Sequence, residues 1–282
     1  MLLKKIGYGF GKLLSALFLI LKSVICLYPV YWMITLSFKT AREAGKNVYS
    51  FPAAPFEVGF SNFATVLDRM DYGHAMLNSL IYSTVITVVT VFFSCTAAYA
   101  MTRMHFKFAN IIYKYFLLGL SVPGMCLMVP VFMIIKGMGL FGTRWAIIVL
   151  GVAAAAAGSL LMVAFMRSIP SELEEAAAID GCNCHRCFFS IMFPIFKPAV
   201  ATRCMLEFLR MWNEFGYSSI LCMNDKLRPL VMETQSFFGS QYAKEWNNIG
   251  ASVVLSAGPA ILVYCFANKG IENAMTAGAI LK

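Results

Sequence analysis

Four charged residues stand where charge is costly: Arg203, Glu207, Arg210 and Glu214 lie four, three and four residues apart inside an apolar stretch. At 3.6 residues per turn they share one narrow helix face, and their alternating signs let neighbours pair. Exposing such groups to lipid costs about 2.5–3.5 kcal/mol each near the bilayer centre, so the face must look into protein or a water-filled cavity. Two readings fit. The stripe lines a solute route or a subunit seam, or it is a self-neutralised ladder holding helices together.

A second cluster is Cys182, Cys184, His185 and Cys187. Thiolate and imidazole are zinc ligands, but this spacing is tight and no second Cys/His group accompanies it. It reads as reduced thiols on a short cytosolic helix, with no metal. Cys26, Cys95, Cys126, Cys204 and Cys265 fall in apolar stretches, where a thiol packs as a small hydrophobe. The three histidines, His74, His105 and His185, sit near or outside span boundaries, and no H-E-x-x-H occurs. No catalytic residue is expected. Gly137-x-Gly139-x-x-Gly142 spells a dinucleotide fingerprint but lies in a turn with no strand before it, and no G-x-x-x-x-G-K-[ST] loop exists. No cofactor is expected either.

The third feature follows Arg167. Pro170, Ser171 and Glu174 spell a capping-box start, and Glu172, Glu174 and Glu175 suit a positive helix N-terminus. Ala176, Ala177 and Ala178 favour helix with little bulk, and Gly181 ends it. Such a stiff, small-surfaced helix can enter a cleft of another protein, or it can be a connector with a solvated acidic face.

The elements that must position these residues are membrane helices. Of 282 residues, 60% are hydrophobic and 13% charged, outside the range of soluble domains. Mean hydropathy is +0.72. Six apolar blocks, at about 13–36, 76–101, 111–135, 145–166, 198–223 and 249–267, are each long enough to cross a core of about 30 Å as a helix. They are continuous rather than alternating, which excludes a barrel. The first block is too long for a cleaved leader and reads as a span. Lys4, Lys5, Lys12, Arg103, Lys107, Arg167 and Arg186 place both termini in the cytoplasm, against a smaller set opposite: Lys39, Arg42, Lys46, Lys226 and Arg228. The net charge of +9 suits anionic lipid, and basic residues scattered among spans argue against nucleic acid.

Two outer loops, 39–75 and 224–248, are long. The first contains an amphipathic Phe60-Ser61-Asn62-Phe63 stretch, and the second holds Phe237, Phe238, Tyr242 and Trp246. They dock an extracellular partner or pack onto the bundle. Pro123 and Pro130 kink the third span. A secondary transporter would need an intramembrane coupling-ion site and an internal repeat, and neither is visible.

Glu175-Ala176-Ala177-x-x-x-Gly181, nine residues, then Ile191-x-Phe193-Pro194 resembles the EAA motif of binding-protein-dependent ABC permeases. The family pattern has Leu where this chain has Phe193, and usually Ala where it has Cys182. Asp180, Ser168-Ile169-Pro170 and Trp212-Asn213-Glu214-Phe215 are similar to the sugar-uptake branch, as are Asn78-Ser79-Leu80, Gly139-Leu140-Phe141-Gly142-Thr143 and Thr276-Ala277-Gly278-Ala279. The resemblance covers nearly the whole chain and is nearest to the second permease subunit of maltose-type sugar importers. It implies an all-α polytopic membrane protein with the six-helix transmembrane domain of a type I (methionine-importer-like) ABC importer. Residues 1–75 would form an N-terminal span and first outer loop, 76–268 the transporter domain with its coupling loop at 167–197, and 269–282 a cytoplasmic tail.

The implied partners are a second permease subunit in a heterodimer, two copies of a cytoplasmic ABC ATPase, an extracellular solute-binding protein and membrane lipid. Glu175, Ala176, Ala177, Asp180 and Gly181 would couple to the ATPase, which supplies all ATP hydrolysis. Arg203, Glu207, Arg210, Trp212, Asn213 and Glu214 would line the translocation path or the subunit seam. The solute implied is a sugar or oligosaccharide. A glycerol phosphate ester, an amino acid or a peptide is the alternative, since the motif is shared across importers.

Overall fold

Hydrocarbon solvent leaves the backbone to satisfy itself, and helices are the form that does so within one segment. In the computed structural model, which describes residues 2–53, 55–104, 106–153, 155–239 and 245–280, no strand occurs among the described residues. His105 and Tyr242 lie outside the described residues, as do the last two residues of the expected tail. Helix α1 covers Leu2–Ser37, followed by three short helices: α2 (Ala41–Lys46), α3 (Pro55–Val58) and α4 (Ser61–Arg69). Next come α5 (Tyr72–Arg103), α6 (Ala109–Leu120), α7 (Met128–Gly137), α8 (Arg144–Ala153) and α9 (Ala155–Arg167). The short α10 (Glu172–Ile179) and α11 (Cys184–Arg186) lead into α12 (Phe193–Trp212). Then α13 (Gly216–Leu221), α14 (Leu230–Ser236) and the long α15 (Trp246–Ile280) complete the order.

Five helical stretches are long and apolar enough to cross a membrane: Gly11–Ser37, Tyr72–Arg103, Arg144–Arg167, Cys184–Trp212 and Trp246–Ala267. A sixth is a broken pair, Ala109–Leu120 with Gly124–Gly137, bent by 94°. Four of the expected spans keep their places within a few residues. The third is not a kinked rod but two helices, because Pro123 cannot donate to the ladder and the chain turns there. The carbonyl of Gly124 at that turn accepts from the Tyr217 hydroxyl at 2.8 Å. The fifth, expected at 198–223, runs instead from Cys184 to Trp212. Its start is capped by Asn183, whose side chain accepts from the Arg186 N–H at 2.8 Å, and a π-helical stretch, Cys187–Met192, carries the chain into α12. Its end is set by Glu214, whose carboxylate accepts from the N–H groups of Tyr217 (2.7 Å) and Ser218 (3.0 Å) and so starts α13 as a separate helix. Apolar content alone had carried the expected span past that break.

The chain divides into two compact units, Met1–Met70 with Thr234–Gly258, and Asp71–Glu233 with Pro259–Lys282. In the first unit, Lys39 is fully buried and its Nζ donates to the carbonyls of Asn47 (3.1 Å) and Val48 (2.9 Å). Burial pulls its ammonium below the usual lysine range. Asn62 of α4 donates to the carbonyls of Ser37 and Lys39, both at 2.8 Å, and accepts from Asn247 at 2.8 Å. The amphipathic stretch of the first outer loop is thus a packed helix whose buried face carries Asn62 and Val66. Phe237 of the second loop is buried and Phe238 exposed.

In the second unit, α5 packs along α8, α9 and α12. One apolar cluster joins Tyr99, Met162, Met166, Ala177, Phe188, Met192 and Phe196. Another joins Tyr82, Ile86, Ile135, Ile147, Met211 and Leu221.

Candidate functional site

Helix α10 sits where α5 and α9 end. Its N-cap, Ser171, has φ −72° and ψ −20° and makes no side-chain capping bond. The expected capping box therefore does not form: a cap hydroxyl reaches the N–H groups of the first turn from extended backbone, not from helical backbone. Glu174 turns inward instead, and its Oε2 lies 2.9 Å from Arg103 Nε, both side chains 15% exposed. The same guanidinium donates through Nη2 to the carbonyls of Met166 (2.9 Å) and Ile169 (2.6 Å). Arg103, read in the sequence only as an orienting charge, is the residue that sequence reasoning missed here. Its one signal was position: a guanidinium at the end of a span in a chain with an acidic first turn elsewhere.

Ala177, three residues after Glu174, is buried in the cluster of Phe188 and Met192. Gly181 has φ +78°, and two hydrogen bonds, Gly181 N–H to Ala178 and Cys182 N–H to Ala177, close the helix end in a Schellman turn. The opposite face is open. Glu175, Ala176 and Asp180 are exposed, and Ile179 is 88% exposed. Of the five residues singled out here, Ala177 faces the bundle and the other four face outward.

From Cys184 onward the cysteine run begins the fifth span, with α11 as its first turn, and Cys182 lies in the turn before it. Cys187 is buried, Cys182 half-buried and Cys184 exposed. Among the described residues no three His, Cys, Asp or Glu side chains converge to hold a metal.

Inside the span, Arg203, Glu207 and Arg210 come together. Glu207 is 1% exposed and accepts from Arg203 Nη1 at 2.7 Å and from Arg210 Nε at 3.1 Å, with a further bond from Arg210 Nη2. Arg203 is 8% exposed, and its guanidinium lies against Gly158 of α9, where a Cβ would fall 2.3 Å from Nε. Glycine is thus the residue that lets the ion cluster reach α9. Arg210, at 45% exposed, borders a cavity of about 730 Å³ with Glu214, Tyr217, Tyr115 and apolar side chains of α6, α7 and α8.

The ladder stops at Arg210. Glu214 lies beyond the helix end and caps α13. Trp212 is buried and stacks on Phe208, and the exposed Asn213 donates back to the Leu209 carbonyl. Of the six residues expected to line the path or seam, only Arg210 and Glu214 border the cavity.

A family model described as "binding-protein-dependent transport system inner membrane component" matches residues 90–276. The chain is similar to the diacetylchitobiose uptake system permease protein of Streptomyces coelicolor, 30% identical over 94% of this chain and 87% of that one. It is similar to the trehalose/maltose transport system permease protein of Thermococcus litoralis, 29% identical over 93% and 94%. Its fold matches a chain in the crystal structure of a bacterial ABC transporter involved in the import of the acidic polysaccharide alginate. The TM-score is 0.77 at 23% identity, over 91% of this chain and 95% of that one.

Proposed function

The chain belongs to the family of binding-protein-dependent transport system inner membrane components, and on that premise we propose that it is one of two permease subunits of an ATP-driven importer for sugars or oligosaccharides. It sits in the cell membrane with both termini in the cytoplasm, and α10 is its cytosolic coupling helix. A separate ABC ATPase, present twice, supplies the energy, and an extracellular binding protein delivers solute.

The observation that carries this reading is the two-faced character of α10. Its inner face is fixed by Glu174 and Ala177, and its outer face presents Glu175, Ala176 and Ile179 with little bulk. A partner cleft can approach such a surface closely: an exposed isoleucine supplies burial, an alanine leaves room, and a free carboxylate selects a basic partner. Closure of the two ATPases would move α10 and, with it, the ends of α5 and α9, turning the bundle from inward- to outward-facing. Solute would pass the cavity bordered by Arg210 and Glu214, beside the broken span, since irregular backbone at membrane depth is tolerated where it lines a cavity or is covered by protein.

Sugar as the solute rests on the named relatives. A strain lacking this chain, grown on a panel of oligosaccharides, is expected to lose growth on at least one and to recover when the chain is restored. Loss of growth confined to amino acids, peptides or glycerol phosphate esters would move the reading to that solute class.

A further inference from the structure

Beside its apolar packing, one polar link ties α10 to the ends of α5 and α9. Arg103, the last residue of α5, reaches two other elements: the carbonyls that end α9 and its following turn, Met166 and Ile169, and the Glu174 carboxylate on α10. Among the described residues Arg103 is the ion-pair partner of Glu174, a contact of charges rather than a hydrogen bond, since Arg103 Nε and Glu174 Oε1 are both buried without one. α10 also packs on the Cys187–Met192 stretch, with Ala177 against Phe188, Met192 and their neighbours.

These two contacts differ in what they can transmit. A methyl group against an apolar cluster resists being pushed in, but it slides and separates under tension for little energy. A guanidinium whose Nη2 holds two carbonyls while its charge faces a largely enclosed carboxylate resists separation as well. A helix that must drive a bundle in both halves of a cycle needs a link that holds in both senses.

We propose that Arg103 is the positioning residue through which α10 and the ends of α5 and α9 move as one body, so that it sets how much transport each ATP yields. It touches neither the motor nor the solute. This rests on the reading of α10 as the coupling helix.

The test uses the whole complex in proteoliposomes and measures solute accumulated per ATP hydrolysed, beside the amount of ATPase that co-purifies. Arg103→Gln is expected to keep the ATPase attached and hydrolysing while the ratio falls by about tenfold or more, as the carboxylate loses its partner. Arg103→Lys keeps the charge but not the fork, and an intermediate ratio is expected. An unchanged ratio in Arg103→Gln overturns the proposal.

If that variant does not assemble, Glu174→Gln is read instead, because it leaves Arg103 its carbonyl bonds. There too an unchanged ratio overturns the proposal and a reduced one supports it. A wild-type complex that carries no ATPase would refute the importer reading itself, before any Arg103 variant is measured.

Discussion

Two buried ion clusters, built from the same two residue types, do different things to the chain. Glu207 bonds to Arg203 and Arg210, four residues before it and three after it, so that cluster closes within one helix. Arg103 and Glu174 belong to different elements, and their pair fixes one element to another. The first neutralises charge that a span carries through the membrane. The second joins a short helix to the ends of two longer ones. Spacing along the chain reveals the first kind, because helix geometry alone brings the partners together. It cannot reveal the second, because the fold does that.

Removing a partner should therefore hurt the two clusters in different currencies. The largest effect is expected inside the span: Glu207→Ala leaves Arg203 and its charge in the interior, at a cost of about 3–5 kcal/mol. The yield of folded protein in detergent, and its melting temperature, should drop sharply. A variant that folds and melts like the wild type would show that the cluster is not a structural neutraliser.

Next is Gly158→Val, whose side chain must displace the Arg203 guanidinium. A cost of about 1–3 kcal/mol is expected from overpacking, read in the same melting assay. Combining it with Arg203→Ala should cost less than the two changes added, since the collision is then gone.

At the α10 end the expected losses of stability are smaller. Gly181→Val forces a branched residue into φ +78°, costing about 1–2 kcal/mol. Limited proteolysis should cut the 180–184 turn faster, while the global melting temperature moves little. A large global loss would erase the contrast between a cluster that holds the span and a helix that is merely attached to it.

The smallest effect is expected from a half-exposed pair in the other unit. Glu245 is pushed up by burial, but hydrogen bonds from Arg69 and Asn248 and the Arg69 charge outweigh this and hold its carboxyl below the usual range. Because the folded value lies below the unfolded one, this pair stabilises above the unfolded glutamate value and the benefit is lost as pH falls through the folded one. Solvent screening limits it to about 0.5 kcal/mol. The acid side of the melting-temperature profile should therefore flatten slightly in Arg69→Ala, and a change as large as that of Glu207→Ala would contradict the ranking.

The same division explains what could be read before the fold was known. Four spans and the short helix stopped by Gly181 follow from apolar runs, alanines and one glycine, all of them local signals. The right-angled break of the third span was legible only as a pair of prolines, since the Tyr217 hydroxyl that bonds the Gly124 carbonyl at the turn comes from far along the chain. The fifth span was misplaced for a related reason. Glu214 looked like a further rung of the ladder, yet its carboxylate starts the next helix. Trp212 and Asn213 were named by the motif they share with the sugar-uptake branch, which says nothing of direction: one packs inward and the other satisfies a helix end.

Benzoylphenylalanine in place of Ile179, photo-activated in intact cells, tests the coupling role of α10 most directly. An adduct with a nucleotide-binding ATPase subunit, with a yield that changes when ATP is depleted, is the predicted result. Adducts confined to extracytoplasmic proteins would place α10 on the wrong side of the membrane and contradict the account.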